Sequence, residues 1–125
     1  MTDPQFVLAI DQGTTSTKAL VIDRQGRVLG SAASRPIEAH HPEPGWVEYA
    51  PEELLDSVFA AAQHALNVAG VQPHSIAGIG LANQGETVIG FDGHDGKPIY
   101  PAISWQDRRS DELVAELGAG GLDQR

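Results

Sequence analysis

Close to its amino terminus, the sequence places two apolar, strand-forming segments on either side of a short polar turn. The first segment covers residues 6–10 and ends at Asp11, and the second covers residues 17–22. A connection this short joins antiparallel neighbours, because parallel strands need a crossover of about a dozen residues or more. The first segment is apolar at every position, which is typical of a strand covered on both faces. The pattern therefore predicts a buried β-hairpin whose turn presents polar groups.

The rest of the chain predicts a mixed α/β domain. A turn over 23–26 leads to a strand over 27–33, with Gly26 supplying the positive φ that such a turn needs. The proline-rich stretch 34–50 is expected to be irregular. Because strands that begin as a meander later alternate with helices, we expect a sheet with both parallel and antiparallel neighbours. The other predicted elements are strands over 76–81, 87–91 and 99–105 and a short helix over 107–117.

The strongest helical signal begins at Pro51, a residue suited to a first helical turn. Acidic residues follow it near the positive end of the helix dipole, and Gly70 ends the pattern. Ala50, in the N-cap position, offers no side-chain oxygen to the free amides. Apolar residues recur at helical spacing and predict one buried face. That face is expected to contain Leu54, Leu55, Val58, Phe59, Ala62, Leu66 and Ala69.

Composition limits the classes of function. The 125 residues contain 8 Lys and Arg against 17 Asp and Glu, which gives a net charge of −9, and they contain no cysteine. An acidic chain lacks the positive field that attracts nucleic-acid phosphates or anionic lipid, so neither partner is expected. The early apolar run is too short for a secretory or membrane-spanning segment, and a cytoplasmic protein is expected.

The first candidate site is the turn that follows Asp11. A carboxylate at a strand end can hold a hydrated Mg²⁺, which needs only one or two protein carboxylates. Gly13 lets the backbone approach a phosphate closely, the following amides and hydroxyls can converge on its oxygens, and Lys18 adds a positive charge. The alternative is an ordinary hairpin turn in which these groups only satisfy the backbone. The residues of this candidate phosphate site are Asp11, Gly13, Thr14, Thr15, Ser16 and Lys18, with Asp11 as the metal ligand.

The second candidate segment covers residues 83–87, just past a predicted strand. Its amides and carboxylate suit a polyol, whose hydroxyls both donate and accept hydrogen bonds. The candidate substrate residues here are Gln84, Gly85 and Glu86. The alternative is a solvated turn around the glycine.

The third candidate segment, residues 105–109, places an indole before an acid and two arginines. Trp105 could cover the apolar face of a sugar while the ionic groups fix the rim of the pocket. The alternative is a strand-to-helix junction in which Asp107 caps the helix and Trp105 is buried.

Five segments in order carry a family resemblance: AIDQGTTSTKA at 9–19, PGWVE at 44–48, NQGET at 83–87, GKPIY at 96–100 and WQDRR at 105–109. Together they resemble the opening of the FGGY family of carbohydrate kinases, and within it they are most similar to glycerol kinases. The resemblance implies an α/β, actin-like or ribonuclease-H-like fold with a mixed sheet and flanking helices. Residues 1–125 would form the N-terminal portion of the first domain, with the C-terminal ATP-binding domain absent from this stretch.

The resemblance also implies an activity, the ATP-dependent phosphorylation of a sugar or polyol hydroxyl with Mg²⁺. Asp11 would belong to the environment of the metal and phosphate, and Thr14 and Thr15 to the phosphate loop. Lys18 stands where glycerol kinases carry an arginine near the transferred group. Glu86 would contact substrate hydroxyls and Trp105 would pack on the substrate carbons.

Two departures from the family pattern qualify these expectations. Gly85 stands where glycerol kinases have an arginine, which favours a longer acceptor such as a pentulose or a tetritol. The catalytic base is expected beyond Arg125, so no catalytic residue is assigned here and the isolated chain is expected to be inactive. Such a chain is also expected to expose an apolar sheet face and to form a homodimer. The alternative function is a non-catalytic module that binds a polyol or another protein.

Overall fold

A computed structural model describes residues 5–121 of the chain. These residues form two compact units, one made of residues 5–38 and 50–85 and the other of residues 39–49 and 86–121. In chain order, the elements are β1 Phe6–Gln12, β2 Thr17–Ile22, β3 Val28–Ala33, β4 Glu48–Tyr49, α1 Pro51–Ala69, a 3-10 turn Pro73–Ser75, β5 Ile76–Asn83, β6 Ala102–Ile103 and α2 Asp111–Ala119.

The first unit is built on a four-stranded sheet in the order β3-β2-β1-β5. The pairs β1–β2 and β2–β3 are antiparallel, as the short turns predict, whereas β5 lies parallel to β1. Gly26 has the expected positive φ, of 79°. The predicted mixed sheet is therefore confirmed.

One face of β1 is covered, and the expectation that both are covered is wrong. Leu8, Ile10 and Gln12 are buried, whereas Val7 on the opposite face is 45 % exposed. Side chains alternate between the two faces of a strand, and α1 packs on one of them. A continuous apolar run therefore does not by itself identify a doubly covered strand.

Helix α1 has the predicted ends, and five of the seven residues predicted for its buried face are buried or partly buried. It runs from Pro51, without a side-chain cap from Ala50, and ends at Gly70 with a φ of 65°. Leu55 and Phe59 are exposed, contrary to the expectation. The residues that α1 buries are Leu54, Ser57, Ala61, Ala65 and Leu66.

The small side chains on this face explain the difference. A Cβ atom added to Gly30 in β3 would lie 2.5 Å from the backbone oxygen of Ala65 and 2.8 Å from the Cβ of Ala69. Helix and sheet can approach this closely only where glycine faces alanine. The core of the unit consists of Leu8, Ile10, Ala19, Val21, Ala61, Ala65 and Leu66.

The second unit contains little regular structure. β4 and β6 pair antiparallel over two residues each, so the stretch 34–50 is irregular except for its end, and the strand predicted over 99–105 shrinks to Ala102–Ile103. The strand predicted over 87–91 is absent and is replaced by isolated bridges at Val88 and Phe91. Helix α2 begins at Asp111 rather than 107, because residues 104–109 are held in turns by side-chain hydrogen bonds. Within residues 5–121, no helix has the length and apolar character needed to span a bilayer.

Candidate functional site

The turn between β1 and β2 is closed by a glycine. The amide of Gly13 donates to the backbone oxygen of Ser16 at 3.2 Å, and a Cβ on Gly13 would lie 2.9 Å from that same oxygen. A contact that short requires the backbone to shift. Glycine is therefore required by the turn itself, whether or not a ligand approaches it.

The end of the turn is anchored by the buried Thr17. Its hydroxyl lies 2.6 Å from the hydroxyl of Ser57, which donates its own proton to the backbone oxygen of Leu54 at 2.7 Å. Thr17 must therefore be the donor to Ser57, since a hydroxyl carries one proton. The backbone of Thr17 also donates to the Ser34 hydroxyl at 3.0 Å and accepts from the Ser34 amide at 2.8 Å. Uncharged groups thus fix this end of the loop.

The middle of the turn keeps donors available. The backbone oxygen of Thr15 accepts from Ile37 at 2.8 Å, and that of Ser16 accepts from Gly13. Within residues 5–121, neither the amide nor the hydroxyl of Thr15 or Ser16 donates a hydrogen bond. Two successive amides and two hydroxyls in one turn can converge on the oxygens of an anion.

Two glutamines orient the Gly13 peptide. Gln84 was a candidate residue from the sequence, whereas Gln12 was not. The side-chain amides of Gln12 and Gln84 both donate to the backbone oxygen of Gly13, at 2.8 and 3.3 Å. In a trans peptide the N–H points opposite to the C=O, so the amide of Thr14 points away from both glutamines. The backbone amide of Gln84 also donates to the backbone oxygen of Gln12 at 2.9 Å. The first and second candidate segments are therefore brought together at Gln84.

The charged residues of the first segment lie side by side on the sheet. Asp11 and Lys18 are paired across β1 and β2, so their side chains share the face opposite to α1. Both line an otherwise mostly apolar groove of about 520 Å³. Neither side chain forms an ion pair or hydrogen bond with another residue between 5 and 121. Their charges are available to a ligand.

In the second unit, Glu86 has an unusual backbone. Its φ of 65° is the only positive value at a non-glycine residue in the described part of the chain. Left-handed backbone at such a residue is unfavourable, and residues of this kind cluster at functional sites. Gly85, the preceding residue, has no positive φ, and a Cβ there would meet no atom within 4 Å. The local backbone therefore does not require glycine at 85.

Glu86 and residues of the third candidate segment line the same cavity, which has a volume of about 390 Å³. Trp105 lines it and is 50 % exposed, so the alternative of a buried tryptophan is wrong. Asp107 does not cap α2 either, since the N-cap residue is Ser110. The other lining residues are Val88, Ile103, Ser104, Asp107, Arg109 and Ser110.

A partly buried ionic network shares Asp107 and Arg109 with the lining of this cavity. Arg109 donates to both carboxylate oxygens of Asp107 at 2.8 Å and to Glu48 at 2.8 Å, and its guanidinium lies 3.8 Å from the ring centroid of Trp46. The hydrogen bonds that Arg109 donates to Asp107 hold the pKa of the Asp107 carboxyl well below its usual range, and the same bonds raise the pKa of Arg109. Glu48 was not singled out as a functional residue, although it lies in the PGWVE segment.

The chain is similar to known carbohydrate kinases. The family model described as the N-terminal domain of the FGGY family of carbohydrate kinases matches residues 6–125. Among curated proteins, the glycerol kinase of Xanthomonas axonopodis pv. citri is 46 % identical over 122 residues, which cover 98 % of this chain and 24 % of that protein. The glycerol kinase of Thermococcus gammatolerans is 48 % identical over 113 residues, covering 90 % of this chain and 22 % of that protein.

Solved structures show the same fold. The Plasmodium falciparum glycerol kinase with ADP aligns with a TM-score of 0.82 and 36 % identity, over 91 % of this chain and 23 % of that one. The xylulose kinase from Rhodospirillum rubrum aligns with a TM-score of 0.81 and 30 % identity, over 93 % of this chain and 23 % of that one. The predicted actin-like, ribonuclease-H-like fold is confirmed, and the chain spans about a quarter of the length of these relatives.

Proposed function

The chain belongs to the FGGY family of carbohydrate kinases, and we propose that the full-length protein transfers the γ-phosphoryl group of ATP to a hydroxyl of a sugar or polyol. The observation that carries this proposal is the turn after β1, where the amides of Thr15 and Ser16 have no acceptor within residues 5–121. Phosphoryl transfer depends mainly on positioning and on stabilising charge, which such a turn can supply.

On the nucleotide side, the proposed phosphate contacts come from the backbone and from Lys18. The amides of the turn would donate to phosphate oxygens, while the lysine ammonium would add a positive charge nearby. Gly13 and Thr17 would hold the turn in shape from its two ends. The solved relative with ADP supports a nucleotide as the phosphoryl donor.

The donor set of Asp11 fits a hydrated Mg²⁺. Such an ion keeps several of its waters and is usually held by one or two carboxylates together with substrate phosphates. Within residues 5–121, no group of three or more acidic or histidine residues could enclose an ion, so Asp11 would contribute one ligand and not a complete cage. When bound, Mg²⁺ would neutralise charge on the phosphates.

On the acceptor side, Glu86 would accept hydrogen bonds from substrate hydroxyls and Trp105 would cover the substrate carbons. Among the described residues that line their cavity, Arg109 is the only cation, and its guanidinium already donates to two carboxylates. A carboxylated sugar would find no counter-ion there, so we propose an uncharged acceptor. The base that deprotonates the acceptor hydroxyl is proposed to lie outside these 125 residues.

The experiment that tests the function is an activity profile of the full-length protein with Mg·ATP and a panel of polyols and ketoses. We expect turnover, with a pentulose or tetritol preferred over glycerol because Gly85 leaves space where glycerol kinases carry arginine. Gly85→Arg, for which the backbone has room, should shift the preference toward glycerol. A preference of the unmodified protein for glycerol over every other acceptor would refute the assignment of a larger substrate.

A second experiment addresses the phosphate side. In the full-length protein, Asp11→Ala should lower turnover by at least about 100-fold while leaving the fold intact, since it removes the proposed metal ligand. Asp56→Ala, which removes an exposed carboxylate from α1, is the matched control. If Asp11→Ala kept the turnover of that control, the metal role would be wrong.

We also propose that the protein is cytoplasmic and that the 125-residue chain by itself forms a homodimer. The exposed apolar side chains of β5, Ile79 and Leu81, support an apolar contact there. Light scattering of this chain should give a dimer mass, and Leu81→Lys should lower it. A monomer mass for the unmodified chain at micromolar concentration would contradict the dimer.

A further inference from the structure

The turn that carries Trp105 is fastened at both ends to one residue. The amide of Ser104 donates to the backbone oxygen of Val47 at 3.0 Å, and the amide of Val47 donates to Oδ2 of Asp107 at 2.7 Å. The amide of Asp107 closes the turn by donating to the oxygen of Ser104 at 2.9 Å. The position of the Trp105 backbone is thus set by two hydrogen bonds to a single peptide segment.

The Asp107 carboxylate accepts hydrogen bonds from four donors of the protein itself. Its Oδ1 accepts from the amide and the Nε of Arg109, at 2.9 and 2.8 Å, and its Oδ2 accepts from Val47 and from Nη2 of Arg109. Its side chain is only 3 % exposed. A carboxylate that accepts four hydrogen bonds and faces little solvent has no lone pair left for a substrate. Although it lines the cavity, Asp107 acts through its neighbours.

The same turn is connected to the segment that carries Glu86. The amide of Trp105 donates to the hydroxyl of Thr87 at 3.2 Å, and Val88 and Ile103 exchange two backbone hydrogen bonds at 2.9 Å. Thr87 directly follows Glu86. The two proposed acceptor contacts therefore share one hydrogen-bonded support.

We propose that Asp107 is a positioning residue for the acceptor: its carboxylate, held by Arg109, fixes the turn of Trp105 and, through Thr87, the segment of Glu86. This inference rests on the proposed function of Trp105 and Glu86. An asparagine would place an NH₂ group against the donors of Val47 or Arg109, where two donors cannot bond. The turn would then shift, and small displacements of a binding group cost rate steeply.

The test is steady-state kinetics of the full-length protein carrying Asp107→Asn, with the acceptor and Mg·ATP varied separately. We expect the KM for the acceptor to rise about 10- to 100-fold and the KM for Mg·ATP to stay within about twofold. Asp111→Asn is the matched control, because Asp111 also pairs with an arginine, at 2.8 Å, but on the surface. It should behave as the unmodified protein does.

A second variant covers the case in which Asp107→Asn does not fold. Arg109→Lys keeps the positive charge but loses the bidentate contact, so it should raise the acceptor KM by a smaller factor of about 3 to 10. Amide hydrogen exchange provides an additional readout, with faster exchange expected in residues 102–109 of both variants and unchanged exchange in residues 6–22.

The outcomes separate the positioning role from the proposed function. Kinetic constants and exchange equal to those of Asp111→Asn would overturn the positioning role and leave the kinase function standing. A parallel rise of both KM values would overturn it too, since only a general structural role affects both. If the unmodified protein phosphorylated no acceptor, the proposed function would fail, and unchanged exchange in residues 102–109 of Asp107→Asn would still overturn the positioning role.

Discussion

The loop after β1 and the turn that carries Trp105 are held by opposite kinds of chemistry. Thr17, Ser34 and Ser57 anchor the loop with uncharged hydroxyls and amides. The turn is held instead by the Asp107 carboxylate, which Arg109 neutralises. The difference matches what each region would bind. An anion is bound by amides that neutral anchors leave available, whereas a neutral polyol needs no counter-ion, so the charges of Asp107 and Arg109 can pair with each other.

The largest effect is expected from breaking the charged region. Arg109→Met leaves Glu48 and Asp107 buried without their cation, which should cost about 3–5 kcal/mol of local stability. Amide exchange in residues 46–48 and 102–109 should accelerate, while β1 and β2 keep their protection. Arg108→Met, at an exposed arginine, is the control and should change neither. Equal exchange in the two variants would show that the network contributes nothing to this region.

A smaller effect is expected from the neutral region. Thr17→Val keeps the side-chain shape but removes the donor to Ser57, whose own hydrogen bond to Leu54 remains. The free energy of unfolding should therefore fall by about 1–2 kcal/mol. The KM for Mg·ATP should rise while the acceptor KM stays constant, the reverse of the result expected for Asp107→Asn. Thr17→Ser keeps the hydroxyl and should restore the unmodified value. Failure of serine to rescue would point to packing as the role of Thr17.

The smallest effect is a dependence on pH confined to the charged region. Because the folded-state pKa of Asp107 is lowered, its contribution to stability is present above the unfolded-state value of about 3.9 and is lost as the pH falls through the lower folded value. Between pH 5 and pH 3, the free energy of unfolding measured with urea should therefore fall more for the unmodified protein than for Asp107→Asn. Identical losses would mean that Asp107 does not couple protonation to folding.

The elements that sequence signals predicted correctly are those specified locally. The hairpin around residues 12–16 follows from two apolar runs and a short turn, and α1 is delimited by Pro51 and Gly70. The exposure of Leu55 and Phe59 was not predictable in this way, because the helix meets the sheet through small residues, at the close approach of Ala65 to Gly30.

The supporting contacts of both candidate regions are equally non-local. Thr17 and Ser57 are 40 positions apart, and Glu48 and Arg109 are 61 apart. No periodicity or turn signal joins residues at such separations. The motifs therefore identified which segments carry polar chemistry, and the structure was needed to identify the residues that hold those segments in place.

The most direct test of the proposed phosphate loop is a crystal structure of the full-length protein with Mg²⁺ and a non-hydrolysable ATP analogue. The amide nitrogens of Thr15 and Ser16 are expected within about 3.2 Å of phosphate oxygens. The proposal would be contradicted by a nucleotide whose phosphates bind elsewhere while those two amides donate to main-chain oxygens of the protein.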